Sequence, residues 1–142
     1  MKRIKLTEAE KQKLKDSGVD LMYLYGSAVS GCRGVEPDLD VGVMLRPEIP
    51  PSLDKYSELY AVCSDFGHFS EHELDLVLLE KAEMPLQLEV ATRGVLLYER
   101  KRGMATDELH KIIQDNLSDL EGFCGHIKKV LQSPGDYDLA VD

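Results

Sequence analysis

The chain has 142 residues, 43% of them apolar, enough for one domain to bury a real core and too many for a small stapled scaffold. Charged residues make up 30%, and 17 Lys and Arg against 26 Asp and Glu leave a net charge of −9. That mixture excludes a disordered chain, and an acidic surface repels phosphate backbones, so direct nucleic-acid binding is not expected. No apolar run approaches the ~20 residues that cross a bilayer, and the opening Met1-Lys2-Arg3-Ile4-Lys5 moves straight into charge. A soluble cytoplasmic protein without membrane association is expected. Cys32, Cys63 and Cys124 are far apart and form no Cys-x-x-Cys pair, which reads as free thiols, neither a disulfide framework nor a zinc site.

Thr7 followed by Glu10 forms a capping box and predicts a short helix over Glu8–Asp16, ended by Ser17-Gly18. Val19–Tyr25 is β-rich and almost continuously apolar, as in a strand covered on both faces. A connection bearing Gly26, Gly31 and Gly34 leads to a second strand, Leu39–Leu45, which Pro47, Pro50 and Pro51 prevent from extending. From Ser52, the spacing of Leu53, Tyr56, Tyr60, Cys63 and Phe66 predicts a helix packed on the sheet through that stripe and closed by Gly67. Leu74–Leu79 reads as a third strand, apolar on both faces except at Asp75, whose carboxylate is expected to be buried and to need a neutralising partner. Pro85 and Gly94 bracket a helix of one to two turns before a short strand, Val95–Tyr98. The charged stretch Glu99–Gly103 has no apolar period and predicts a flexible joint between residues 1–100 and a helical extension over 101–142. There the apolar positions from Leu109 to Leu131 mark one side of a long helix over 107–132, weakened at Gly122 and Gly125 and ended by Ser133-Pro134-Gly135.

Chemistry concentrates in Gly26-Ser27, ten intervening residues, Asp38-Leu39-Asp40, and Asp75 on a later strand. Strand residues two apart share a face, so Asp38 and Asp40 present paired carboxylates that call for a cation. Hard oxygen ligands suit Mg²⁺, with Asp75 as a third ligand, and such a centre serves displacement at phosphorus. Gly26-Ser27, where a strand gives way to a turn, offers backbone N–H groups and a hydroxyl to phosphate oxygens.

The run Tyr23-Leu24-Tyr25-Gly26-Ser27, then Asp38-Leu39-Asp40-Val41-Gly42-Val43, resembles the signature of the DNA polymerase β-type nucleotidyltransferases. The small size and the ending Gly94-Val95-Leu96-Leu97-Tyr98-Glu99 are similar to the minimal nucleotidyltransferases, the MNT-domain proteins, over about residues 5–100. The resemblance implies an α/β (α+β) fold, a small mixed sheet flanked by helices with a C-terminal helical extension. It further implies ATP as substrate with two Mg²⁺ ions, Asp38, Asp40 and Asp75 as metal and catalytic residues, and Gly26 and Ser27 at the phosphates. Ala28 and Pro37 depart from the arginine after the Gly-Ser and the serine before the Asp-x-Asp that family members often carry, and Arg33 is the candidate to reach the phosphates instead.

Many MNT proteins are antitoxins of HEPN-domain ribonuclease toxins, which they silence by AMPylating a toxin tyrosine. The resemblance therefore implies a protein adenylyltransferase that acts on a HEPN toxin and forms a hetero-oligomer with it. Two other readings stay open: transfer to a small cationic molecule such as an aminoglycoside, and an antitoxin that blocks its partner by binding alone. Other candidates are weaker. His68 and His72 lie four apart but lack a third ligand, His110 and His126 read as surface or packing residues, and Tyr98 and Arg93 either line a nucleotide pocket or cover the sheet edge.

Overall fold

The computed structural model describes residues 4–26, 38–70 and 72–116. Helix α1 (Glu8–Asp16) begins at a complete capping box, Thr7 accepting from the Glu10 amide and the Glu10 carboxylate accepting from the Thr7 amide. The other Glu10 oxygen accepts from Gly67 N–H at 2.9 Å, tying the start of α1 to the turn that follows the second helix. Strands β1 (Val19–Tyr25) and β2 (Leu39–Leu45) follow, then α2 (Leu53–Ser64), β3 (Leu74–Leu78) and a 3₁₀ turn (Leu79–Lys81). Helix α3 (Met84–Arg93), β4 (Val95–Glu99) and α4 (Met104–Asp115) complete the order.

The sheet runs β3-β2-β1-β4, with β1 antiparallel to both β2 and β4 and β2 parallel to β3. Six of the seven β1 residues are buried, as its nearly continuous apolar run requires of a central strand covered on both faces, the exception in that run, Asp20, being paired with Arg100. Met22, Leu24, Val41, Val43 and Leu76 point to one face, packed with Leu14 of α1 and with Leu59, Cys63 and Phe66 in and after α2. Leu21 and Tyr23 point to the other, against Leu79 and Val90 beside α3 and α4. Cys63 is a free thiol, pushed up to about 12 by burial, while Cys32 and Cys124 lie outside the described residues.

Three expectations change. Helix α2 spans the predicted residues, yet it turns Leu59 and Cys63 to the core and leaves Leu53 78% and Tyr60 37% exposed. Cys63 and Phe66 of the predicted stripe are buried and Tyr56 packs against the core, so only Leu53 and Tyr60 depart from it, with Leu59 buried in their stead. Helix α3 has ten residues, longer than one to two turns, because Val90 is buried under the sheet and Gln87 Nε2 donates to Leu79 O at 2.7 Å. The stretch expected to be a slack joint is held at several points. Arg100 N–H donates to Asp20 O at 2.8 Å, Arg100 Nε to Asp20 Oδ1 at 2.6 Å, and the Glu99 carboxylate accepts from Ala105 N–H at the start of α4. Its partner Asp20 lies eighty positions earlier, out of reach of any local pattern. Helix α4 accordingly starts at Met104, before the expected 107, and the remainder of the expected helix, with Gly122, Gly125, His126 and Ser133-Pro134-Gly135, lies outside the described residues.

Two measurements test this packing. Leu59→Ala should cost about 2–5 kcal/mol in urea unfolding, whereas Leu53→Ala should stay within about 0.5 kcal/mol of the native chain. The reverse ranking would mean that α2 is rotated. Burial alone would push the Glu10 carboxyl up, but hydrogen bonds from the Thr7 and Gly67 amides and the Thr7 hydroxyl, with nearby His68, hold it below its ordinary value. Stability linked to a lowered carboxyl is complete above the unfolded-state value and disappears as pH falls through the folded one. Glu10→Gln should therefore lower the urea midpoint at neutral pH, and the gap from the native chain should close in acid.

Candidate active site

Three strand ends meet on the face of the sheet shared with Tyr23 and Val90. β1 ends at Tyr25-Gly26, β2 begins beside Asp38-Leu39-Asp40, and β3 begins at Leu74-Asp75. In the antiparallel ladder Asp40 stands opposite Tyr25, and in the parallel ladder it stands opposite Asp75. Neighbouring strands lie ~4.8 Å apart, so register-matched residues of a parallel pair share one face and Asp40 and Asp75 project side by side. Asp38 is exposed immediately before β2, near enough for its charge to act on Asp40.

The burial of the two partners differs from expectation. Asp75 was the carboxylate expected to be buried, and it is exposed, because β3 is an edge strand whose second face is not covered at that point. Asp40, on the inner strand, is the half-buried member. Burial raises its carboxyl first, the Asp75 charge and a side-chain hydrogen bond with Asp75 raise it further, and the Asp38 charge adds to both. The sheet thus forces together groups that repel.

Gly26 completes the corner. It has φ +78°, and a Cβ there would collide with Asp40 Oδ2, so both the left-handed turn and the close approach of the carboxylate need glycine. Tyr25 is half-buried, its hydroxyl pushed up to about 12 by burial and then by the charges of Asp40, Asp75 and Glu89. It stays protonated at neutral pH and can only donate to an anion. Its pairing with Asp40 depends on strand register, which the sequence motif does not display.

The residues fit a divalent cation in their donor chemistry. Adjacent hard carboxylates, one of them partly desolvated, repel until a cation lies between them. Among the described residues, however, no group of three or more His, Cys, Asp or Glu side chains is arranged to hold a metal ion. This holds for Asp38, Asp40 and Asp75 as for His68 and His72, of which His68 lies in a turn after α2. Ser27 and Arg33, with Ala28 and Pro37, lie outside the described residues. Tyr98 does not line the site: it is 7% exposed and belongs to the core on the opposite face, opposite Met22. Arg93 is the last residue of α3 and is exposed.

The model of the polymerase beta nucleotidyltransferase family matches residues 8–103, which include all three strand ends. The chain belongs to that family. As a nucleotidyltransferase it has the family's mixed sheet flanked by helices, in agreement with the fold read from the sequence. Solved structures share the fold along nearly their whole length. A toxin-antitoxin with AMP-PNP is 23% identical, covering 89% of this chain and 99% of that one at a TM-score of 0.63. A tri-AMPylated Shewanella oneidensis HEPN toxin in complex with MNT antitoxin is 21% identical, covering 87% and 98% at 0.56. The toxin-antitoxin MntA-HepT is 18% identical, covering 88% and 99% at 0.55. No curated protein matches the chain. Among the described residues of this nucleotidyltransferase, no helix is long and apolar enough to cross a membrane.

Two glycines separate backbone strain from crowding at the site. Gly103 has φ +88° with nothing within 4 Å of a Cβ, so Gly103→Ala should cost only the left-handed penalty of about 1–2 kcal/mol. Gly26→Ala should cost clearly more in the same urea titration, because its methyl must also displace the Asp40 carboxylate. Equal costs would show that Asp40 does not crowd the turn.

Proposed function

We propose that this nucleotidyltransferase is an antitoxin that transfers AMP from ATP, with Mg²⁺, to a hydroxyl of a HEPN-domain toxin, most simply a tyrosine. The observation that carries the reading is the Asp40–Asp75 pair, set side by side at adjoining strand ends beside a turn only glycine can make. The solved structures with AMP-PNP and with a tri-AMPylated HEPN toxin support the nucleotide and the partner.

In this reading Gly26 and Ser27 bind the triphosphate through backbone amides and the serine hydroxyl, with Arg33 reaching the same phosphates. Asp38, Asp40 and Asp75 hold the cations. The metal, when bound, neutralises charge on the phosphates and lowers the pKa of the acceptor hydroxyl. Tyr25 keeps its hydroxyl proton, through which it donates a hydrogen bond to a nearby anion, and so adds no further negative charge to the corner. Asp75, the exposed carboxylate, faces the incoming acceptor and takes its proton at a carboxylate oxygen. The acceptor oxygen bonds to the α-phosphorus, the bond to the bridging oxygen breaks, and pyrophosphate leaves. We assign residues 101–142 to an extension of the catalytic unit, of which α4 is the described part.

Label transfer from α-³²P-ATP and Mg²⁺ to a HEPN-domain protein of the same organism tests the reading. The native chain should label the protein on tyrosine, and Asp40→Asn and Asp75→Asn should each reduce labelling to background. Both variants remove like-charge repulsion, so their urea midpoints should equal or exceed that of the native chain. Labelling retained in either variant would overturn the catalytic assignment, and no labelling by the native chain would overturn the acceptor.

A further inference from the structure

Helix α3 lies over the sheet face from which the carboxylates project, and its two sides differ. On one side Gln87 donates to Leu79 O and lines a cavity of about 380 Å³ with Asp20, Leu45 and Ile112, so this side turns toward α4, the start of β1 and the end of β2. Val90 fills the middle, buried in one cluster with Tyr23, against which Tyr25 packs. Pro85, Glu89, Thr92 and Arg93 recur at helical spacing on the remaining side, and all four are exposed. That side turns toward the opposite strand ends, where Tyr25, Asp40 and Asp75 stand.

The end of α3 gives the same direction. A Cβ on Gly94, the residue after the helix, would lie 3.3 Å from Leu24 O, and Val95 is paired with Leu24. The last turn of α3 therefore sits at the end of β1 that leads into Gly26, with Glu89 one turn before Arg93. After burial and the charges of Asp40 and Asp75, the charge of Glu89 also raises the Tyr25 hydroxyl, as a carboxylate overlooking the corner must. Such a group repels phosphates and can only accept hydrogen bonds. In the reading above, the triphosphate lies on Gly26-Ser27 and the acceptor arrives at Asp75, on the edge strand. The part of ATP joined directly to the α-phosphate is the ribose, whose hydroxyls are donors. A carboxylate that accepts from ribose hydroxyls is a recurrent device of nucleotide recognition.

We propose that Glu89 accepts hydrogen bonds from the ribose hydroxyls of the bound nucleoside triphosphate and so makes the site selective for ribonucleotides. This inference rests on the nucleotide-binding part of the reading above, not on its protein acceptor, and adds to it a specificity-determining residue. Hydrogen bonds to a charged acceptor are the strong ones, and a site built on them discriminates against the analogue that lacks the hydroxyl.

The test compares the native chain with Glu89→Ala in calorimetric titrations with ATP and with 2′,3′-dideoxy-ATP, each with Mg²⁺ and without an acceptor. The native chain should bind ATP at least tenfold more tightly than the dideoxy analogue, and the variant should bind the two alike with its urea midpoint unchanged. Removing a negative charge acts equally on both nucleotides, so the ratio of the two affinities separates hydrogen bonding from general electrostatics. A preference for ATP that the variant retains overturns the proposal, as does equal binding of the two nucleotides by the native chain. Loss of all binding by a variant that stays folded gives Glu89 a role other than reading the ribose and overturns it equally. Failure of the native chain to bind either nucleotide removes the nucleotidyltransferase reading itself, and this proposal with it.

Discussion

The arrangement of this chain depends on two like charges held together against their repulsion. Asp40 and Asp75 are register partners in the parallel β2–β3 ladder, and neither strand can move away from the other without breaking the backbone hydrogen bonds of that ladder. A parallel pair cannot be joined by a tight turn and needs a crossover, which is the role of α2. That helix packs on the face of the sheet opposite the carboxylates, and its packing on β3 helps fix where Asp75 stands.

Every other feature of the corner follows from that constraint. Burial beneath two layers of helices keeps the central strands rigid, and the inner strand desolvates Asp40 while the edge strand leaves Asp75 open to solvent. One carboxylate is thereby held in the protein and the other is available to an incoming group. Gly26 accommodates Asp40 by having no Cβ, and Tyr25 surrounds the pair with a hydroxyl that remains a donor. At the opposite end of β1, Asp20 secures Arg100 and joins the last strand to α4, so the sheet is stapled at the end remote from the chemistry.

Helix α2 divides its apolar residues between the core and solvent. Leu59 and Cys63 face the core, while Leu53 and Tyr60 have no core to enter and stay in water.

Much of the fold was legible in the sequence because its signals are local. The Thr7–Glu10 capping box, the nearly continuous apolar run of Val19–Tyr25 and the prolines after Leu45 each act within a few residues, and each stands where it was read. The candidate carboxylates were legible as residues too, since an Asp-x-Asp beside a strand and a lone aspartate in an apolar one are conspicuous. What the sequence could not decide was which elements become neighbours. Which members of the α2 stripe enter the core, the exposure of Asp75 and the partial burial of Asp40, the pairing of Tyr25 with Asp40 and the anchoring of Arg100 by Asp20 all depend on how the elements are arranged in space. Register joins residues tens of positions apart through backbone hydrogen bonds that every residue type makes alike, so only the tertiary structure could set it.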